Sequence, residues 1–262
     1  MTESPEVRVE RDGEILVVTL DRPKANAIDA ATSRVLYDAF TQLRDDPSLR
    51  VGIITGAGDR FFSAGWDLKG AAAGEAPDAD YGPGGFAGIT ELFDVGKPII
   101  AAVNGSAYGG GVELWLAADL VVAAEEAVFA FTETRLGLVP DAGGMVRLPN
   151  SIPRALALEL FLTGRRFTAH EARGWGIVNQ VVPAEHVLRE ATSLARTICE
   201  SAPLSVTAVL EVVDAAYGRN ARDGYAVMRS GLAAYSKVAS SDDAKEGATA
   251  FVEKRPPVWS GH

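Results

Sequence analysis

Two glutamates in this chain have surroundings suited to proton transfer. Glu113 lies within Val112-Glu113-Leu114-Trp115-Leu116-Ala117, directly after the run Gly109-Gly110-Gly111. Burial of a carboxylate in such a stretch penalises its charged form and raises its pKa toward the range useful to a general acid or base. An equally good reading makes Glu113 a first-turn acid that complements the dipole of its helix. Glu133 follows the apolar run Phe129-Ala130-Phe131 and precedes Asp141-Ala142-Gly143-Gly144. Alone, it would be read as pairing with Arg135 on a solvated loop. Two such glutamates together can divide acid and base roles, each tuned by its own environment.

The glycines around them limit what those acids could act on. Three consecutive glycines ahead of a helix are costly in chain entropy, so the backbone there must lie bare. Exposed N–H groups at a helix start are a natural seat for an oxyanion. The phrase Ser63-Ala64-Gly65-Trp66-Asp67-Leu68, after a strand and a glycine turn, offers a second place for close backbone approach; alone it would pass for an ordinary strand-to-helix turn. Neither phrase carries the Lys-Ser/Thr of a phosphate-binding P-loop or the dinucleotide fingerprint.

The elements that must position these residues read as an α/β arrangement. Short apolar runs at Ile15–Leu20, Val51–Thr55, Ile99–Val103, Leu120–Ala124 and Ala127–Phe131 predict strands. Helical spacing predicts helices over Asp29–Leu43 and Val112–Ala118, and alternation of this kind favours parallel pairing. After Pro149 the pattern predicts helices over Arg154–Leu162, Ala169–Trp175, Ala184–Glu200, Leu204–Tyr217, Gly224–Tyr235 and Asp242–Lys254. Gly70–Gly88 reads as a loop able to act as a lid. The start, Met1–Gly13, reads as polar and charged, and no sequence repeat stands out.

Composition narrows the classes further. The 262 residues carry 25 Lys+Arg against 35 Asp+Glu, a net charge of -10, which argues against a nucleic-acid partner. Cys199 is the single cysteine, so no internal disulfide forms, and the three histidines fall in no metal-ligand spacing. No apolar run approaches the length of a membrane span, so a soluble, cytoplasmic protein without membrane contact is expected.

Taken together, Ala64 to Leu68, Asn104-Gly105 through Glu113, and Glu133 through Gly144 resemble the crotonase (enoyl-CoA hydratase) superfamily, with similarity running from Leu20-Asp21-Arg22-Pro23 to Phe251–Arg255. Within it, Asp21–Asp29, Gly65-Trp66-Asp67 and Glu75–Asp80 resemble the branch whose acyl group ends in a trimethylammonium. Typical hydratases carry one more residue between Lys24 and Asn26 than this chain does.

The resemblance implies an α/β crotonase-like spiral of ββα units with a helical C-terminal region, divided here into a 1–200 core and a 201–262 trimerisation region. It implies a hydro-lyase acting on an acyl-CoA thioester, with Glu113 activating water and Glu133 moving the Cα proton. Backbone N–H groups at Trp66 and Gly110 would form the oxyanion hole. Lys24, Ala64, Asp67 and Leu68 would line the CoA end, with Phe251 and Lys254 contacting adenine from a neighbouring subunit. Tyr81, Phe86, Tyr108 and Asp141 would shape the acyl pocket, with Trp66, Glu75, Asp78 and Asp80 near the ammonium. The family uses no metal or redox cofactor, coenzyme A being part of the substrate, and assembles as homotrimers or hexamers. Rival readings are a general short-chain enoyl-CoA hydratase or isomerase and a non-catalytic CoA-thioester binder.

Overall fold

Apolar runs of this chain become strands buried on both faces, as parallel central strands require. In chain order the strands are β1 (Val7–Asp12), β2 (Ile15–Leu20), β3 (Ala27–Ile28), β4 (Val51–Gly56), β5 (Phe61–Ser63) and β6 (Gly65–Trp66). They continue as β7 (Ile99–Val103), β8 (Ser106–Tyr108), β9 (Leu120–Ala124), β10 (Val128–Ala130), β11 (Phe167–Thr168) and β12 (Gln180–Val182). The structure, a computed structural model, describes residues 6–72, 76, 79–218 and 221–262. A six-stranded sheet has the order β1-β2-β4-β7-β9-β12, parallel except for the β1–β2 hairpin. A four-stranded sheet has the order β11-β10-β8-β5, and β3 pairs with β6.

These orders contain a repeat. Three times, in β4–β5, β7–β8 and β9–β10, the first strand joins the six-stranded sheet and the second joins the four-stranded one. After each pair the chain turns into a helix: α2 (Leu68–Ala72), α3 (Gly110–Leu116), and α4 (Gly144–Ser151) after a 3₁₀ turn at Glu133–Leu136. The first helix, α1 (Ala30–Asp45), begins where Asp29 accepts the N–H of Thr32 at 2.8 Å. It buries Leu36, Phe40 and Leu43 completely, at about 1.5–3 kcal/mol each. Lys97 closes its far end, donating to the carbonyls of Leu43 and Asp46 at 2.6 and 2.7 Å.

Later helices are α5 (Arg154–Thr163), α6 (Ala169–Gly174), α7 (Val187–Cys199), α8 (Pro203–Ala216), α9 (Ala221–Met228), α10 (Tyr235–Val238) and α11 (Asp242–Glu253). Several expectations need correction. The charged start contains strand β1, an edge strand whose outward charges hide its period. The helix expected from Val112 begins two residues earlier, at Gly110. The helix expected over Gly224–Tyr235 is two, separated around Gly231, whose φ of +93° no helix contains. The stretch expected as helix from Ala184 opens with a 3₁₀ turn, and α7 starts at Val187. Among the described residues no helix is long and apolar enough to cross a membrane.

Candidate active site

The tight junction between β6 and α3 sets the site. Gly65 has φ +82°, and a Cβ there would lie 2.4 Å from the Tyr108 carbonyl oxygen and 2.8 Å from the Gly110 nitrogen. Only glycine allows this approach, which brings Trp66 beside the N-terminus of α3. As the first residue of α3, Gly110 has an N–H with no acceptor inside the helix. The two backbone positions expected for an oxyanion hole therefore lie on adjoining elements.

Glu113, in the first turn of α3, is 2% exposed. Its Oε1 accepts the Gly144 N–H at 2.8 Å, so the start of α4 holds the carboxylate in place. Burial pushes its pKa up to about 8, against the pull of the Gly144 N–H. The charges of Glu133 and Asp141 add to the rise, and that of Arg147 opposes it. Glu113 is thus a buried acid whose charged form is disfavoured, as its apolar stretch led one to expect.

Glu133 sits at the start of its 3₁₀ turn, and both its carboxylate oxygens are buried with no hydrogen-bond partner among the described residues. Burial raises its pKa; the N–H groups of Glu133 and Thr132 pull the other way without reaching hydrogen-bond geometry, and Asp141 adds to the rise. Its carboxylate crowds the glycine run, since a Cβ on Gly109 would lie 3.0 Å from Oε1. Arg135 does not pair with it, donating instead to the Thr163 carbonyl.

Both glutamates open on one cavity of about 480 Å³, which Trp66, Gly110, Tyr81, Phe86 and Asp141 also line. Tyr81 and Phe86 meet edge to face at 5.4 Å. Sequence reasoning missed Glu91 and the apolar stretch Leu138-Val139 as lining residues; position within the 133–144 phrase was the available signal for the latter. Five carboxylates line the cavity (Asp80, Glu91, Glu113, Glu133 and Asp141), and its described lining includes no lysine, arginine or histidine.

Other expected residues lie elsewhere. Tyr108 does not line the cavity: its ring packs edge-on against Phe61 at 6.3 Å, because adjacency to the glycines does not set which side of β8 a side chain takes. Lys24 is exposed outside the cavity, and the Ala64 N–H donates to the neighbouring Ala25 carbonyl at 2.9 Å. Leu68 is 52% exposed. Asp67 is bound to Arg22 at 2.8 Å, and Arg22 also pairs with Asp29 and Glu6. Burial acts to raise the Asp67 pKa, but the N–H groups of Gly70 and Lys69 and the Arg22 guanidinium outweigh it and hold the carboxylate below its usual range. Asp67 therefore locks the β3–β6 region in place. Phe251, 86% exposed, and Lys254 sit at the end of α11, away from the cavity lining. Glu75 and Asp78 lie outside the described residues.

Among the described residues no three His, Cys, Asp or Glu side chains are grouped to hold a metal ion. The enoyl-CoA hydratase/isomerase family model matches residues 10–262. A carnitinyl-CoA dehydratase of Salmonella arizonae is 57% identical over 99% of this chain and 100% of its own length. An enoyl-CoA hydratase structure from Mycobacterium tuberculosis superposes with TM-score 0.90 at 44% identity, covering 99% of this chain and all of that one. A carnitinyl-CoA hydratase structure from Mycobacterium avium gives TM-score 0.76 at 43% identity, with the same coverage. The chain belongs to the enoyl-CoA hydratase/isomerase family of enzymes and has the crotonase fold its motifs led one to expect.

Proposed function

We propose that this protein interconverts carnitinyl-CoA and crotonobetainyl-CoA plus water. The observation that carries the reading is a cavity with both glutamates, three aromatic side chains and no cationic side chain in its described lining. A trimethylammonium cannot donate a conventional N–H hydrogen bond. Aromatic faces and carboxylates such as Trp66, Tyr81, Phe86, Asp80 and Glu91 are the groups that hold one. The names of the 56–57% identical relatives point the same way.

In dehydration, the thioester oxygen takes the N–H groups of Trp66 and Gly110, each contributing about 3 kcal/mol to stabilising the enolate-like transition state. Glu133 takes the Cα proton. Protonated Glu113 gives its proton to the β-hydroxyl, the Cβ–O bond breaks, and water leaves as the Cα–Cβ double bond forms. Hydration runs the same steps backwards, with Glu113 removing a proton from water. Raised pKa values suit a pair that exchanges one proton for another, because two buried carboxylates facing one cavity resist carrying two charges at once. The reading needs no metal and no redox cofactor. It includes a cytoplasmic site of action, in keeping with the single Cys199. It also includes a homotrimer or hexamer built through residues 201–262, with Lys24, Ala64 and Leu68 toward the CoA and Phe251 and Lys254 reaching a neighbour's adenine. A fully active monomer in light scattering would overturn that assembly.

The test compares Trp66→Ala, Asp80→Asn and Glu91→Gln on crotonobetainyl-CoA and on uncharged crotonyl-CoA. The Trp66 variant should lose about 2- to 30-fold in kcat/KM on the charged substrate alone, the equivalent of about 0.5–2 kcal/mol. Equal losses on both substrates, or a wild type that prefers crotonyl-CoA, would make this a general short-chain hydratase.

A further inference from the structure

Behind the cavity lies a cation that the proposed mechanism does not use. Arg147, in α4, lines the groove beneath α8 and is absent from the lining of the cavity that holds Glu113 and Glu133. Its side chain folds back over the turn that begins its own helix, since a Cβ on Gly143 would lie 1.9 Å from Nη1. The next residue in that turn, Gly144, donates the N–H that holds Glu113. On its other side Arg147 Nη2 donates to the Thr90 carbonyl at 2.6 Å. Thr90 is 2% exposed, and its hydroxyl donates to the Phe86 carbonyl at 2.8 Å. The Phe86 ring in turn abuts Gly110, where a Cβ would lie 2.5 Å from Cε1. The contacts close a circuit, because Gly110 and Glu113 share one turn of α3.

We propose that Arg147 is a positioning residue that ties the turn holding Glu113 to the Phe86 wall behind Gly110, keeping the proton-transfer group and the thioester-oxygen site in one register. This rests on the reading that Glu113 transfers a proton. Arg147 does not line the cavity, so its action is through the Gly143–Gly144 turn and Thr90 and through its charge. Glu113 is faced by Glu133 and Asp141, which disfavour its ionisation, and by Arg147, which favours it. Arg147 is faced by Glu113 and Glu91, while burial pulls its own pKa down. Asp94, Lys97, Asp119, Glu211 and Asp214 line the same groove beneath α8.

Full-length Arg147→Gln and Arg147→Lys proteins, checked for folding by circular dichroism, carry the test. Turnover is followed against pH on crotonobetainyl-CoA and crotonyl-CoA. The Glu113 titration is read without substrate by ¹³C-carboxyl NMR, its signal assigned by its absence in Glu113→Gln. Arg147→Gln should lower kcat about 10- to 100-fold on both substrates, with KM little changed. It should also raise the Glu113 titration by about one pH unit. Arg147→Lys keeps the charge and should restore the titration but only part of kcat. A folded Arg147→Gln protein with the wild-type titration overturns the inference, as do equal kcat losses in both variants without any shift. Should Glu113→Gln itself keep wild-type turnover, the proposed function falls separately, because the NMR readout needs no turnover.

Discussion

The floor and the outer wall of the cavity present different groups to a ligand. On the floor, backbone meets backbone: Gly65 lies against Tyr108 and Gly110, and a Cβ on Gly111 would come within 2.3 Å of the Ser63 carbonyl oxygen. The wall from Ala79 to Glu91 presents side chains and is fastened to α1, where Ser33 Oγ accepts the Ala87 N–H at 3.0 Å and Arg34 pairs with Asp80 at 3.3 Å. The contrast separates two tasks. A floor with no room for a methyl group fixes the reacting geometry, whereas a wall of side chains can be altered to change what is bound.

The largest test of that contrast removes the acids of the floor. Glu113→Gln and Glu133→Gln should each cut kcat by about 10²–10⁴-fold on every acyl-CoA the protein turns over. Calorimetry should show thioester binding retained, because the amide keeps the shape. A variant with near wild-type turnover would deprive its residue of the assigned role.

A smaller effect concerns what the floor costs the fold. The ordinary pKa of Glu113 is 4.5, and burial raises it to about 8. Below pH 4.5 folded and unfolded chains both hold the proton, so Glu113→Gln gains nothing. Between 4.5 and 8 the unfolded chain releases the proton while the folded chain keeps it, so wild-type stability falls as pH rises and the variant is spared. Above 8 the difference levels off at about a few kcal/mol. Thermal melts at pH 5 and 8 read this directly, and a Gln variant less stable than wild type at pH 8 would contradict the burial argument.

The smallest effect belongs to the wall. Arg34 and Asp80 form an exposed pair, so Arg34→Ala should raise KM for crotonobetainyl-CoA only about two- to fivefold and leave kcat unchanged. A large fall in kcat would show that the wall and the floor are not separate.

What could be read from the sequence follows the same division. Ile99–Val103 and Leu120–Ala124 have the bounds expected of them because central parallel strands are uninterrupted apolar runs. Glu113 and Glu133 stood out because glycines frame them. Strands β3, β6 and β11, two residues each, have too few residues to show any period, and their pairing arises only in the folded chain. Glu91 and Arg147 went unnoticed as site residues for a related reason. Arg147 reaches the site through a contact distant in sequence, to Thr90, and Glu91 lies just past the expected 70–88 loop, where only the fold shows that it packs beside Gly85 in the wall. Tyr108 was misplaced because neighbours in sequence need not share a cavity.

The repeated turn of the spiral bears on how the protein can come apart. Trp66 follows the β4–β5 pair, Gly110 and Glu113 follow β7–β8, and Glu133 follows β9–β10. Three successive layers thus contribute to the site at the same point of their path, and the cavity exists only while all three are stacked. No fragment lacking one layer could hold a weakened version of the site. Slippage between two layers would separate the groups without melting a strand, so in mild denaturant the chemistry should vanish while the secondary structure persists.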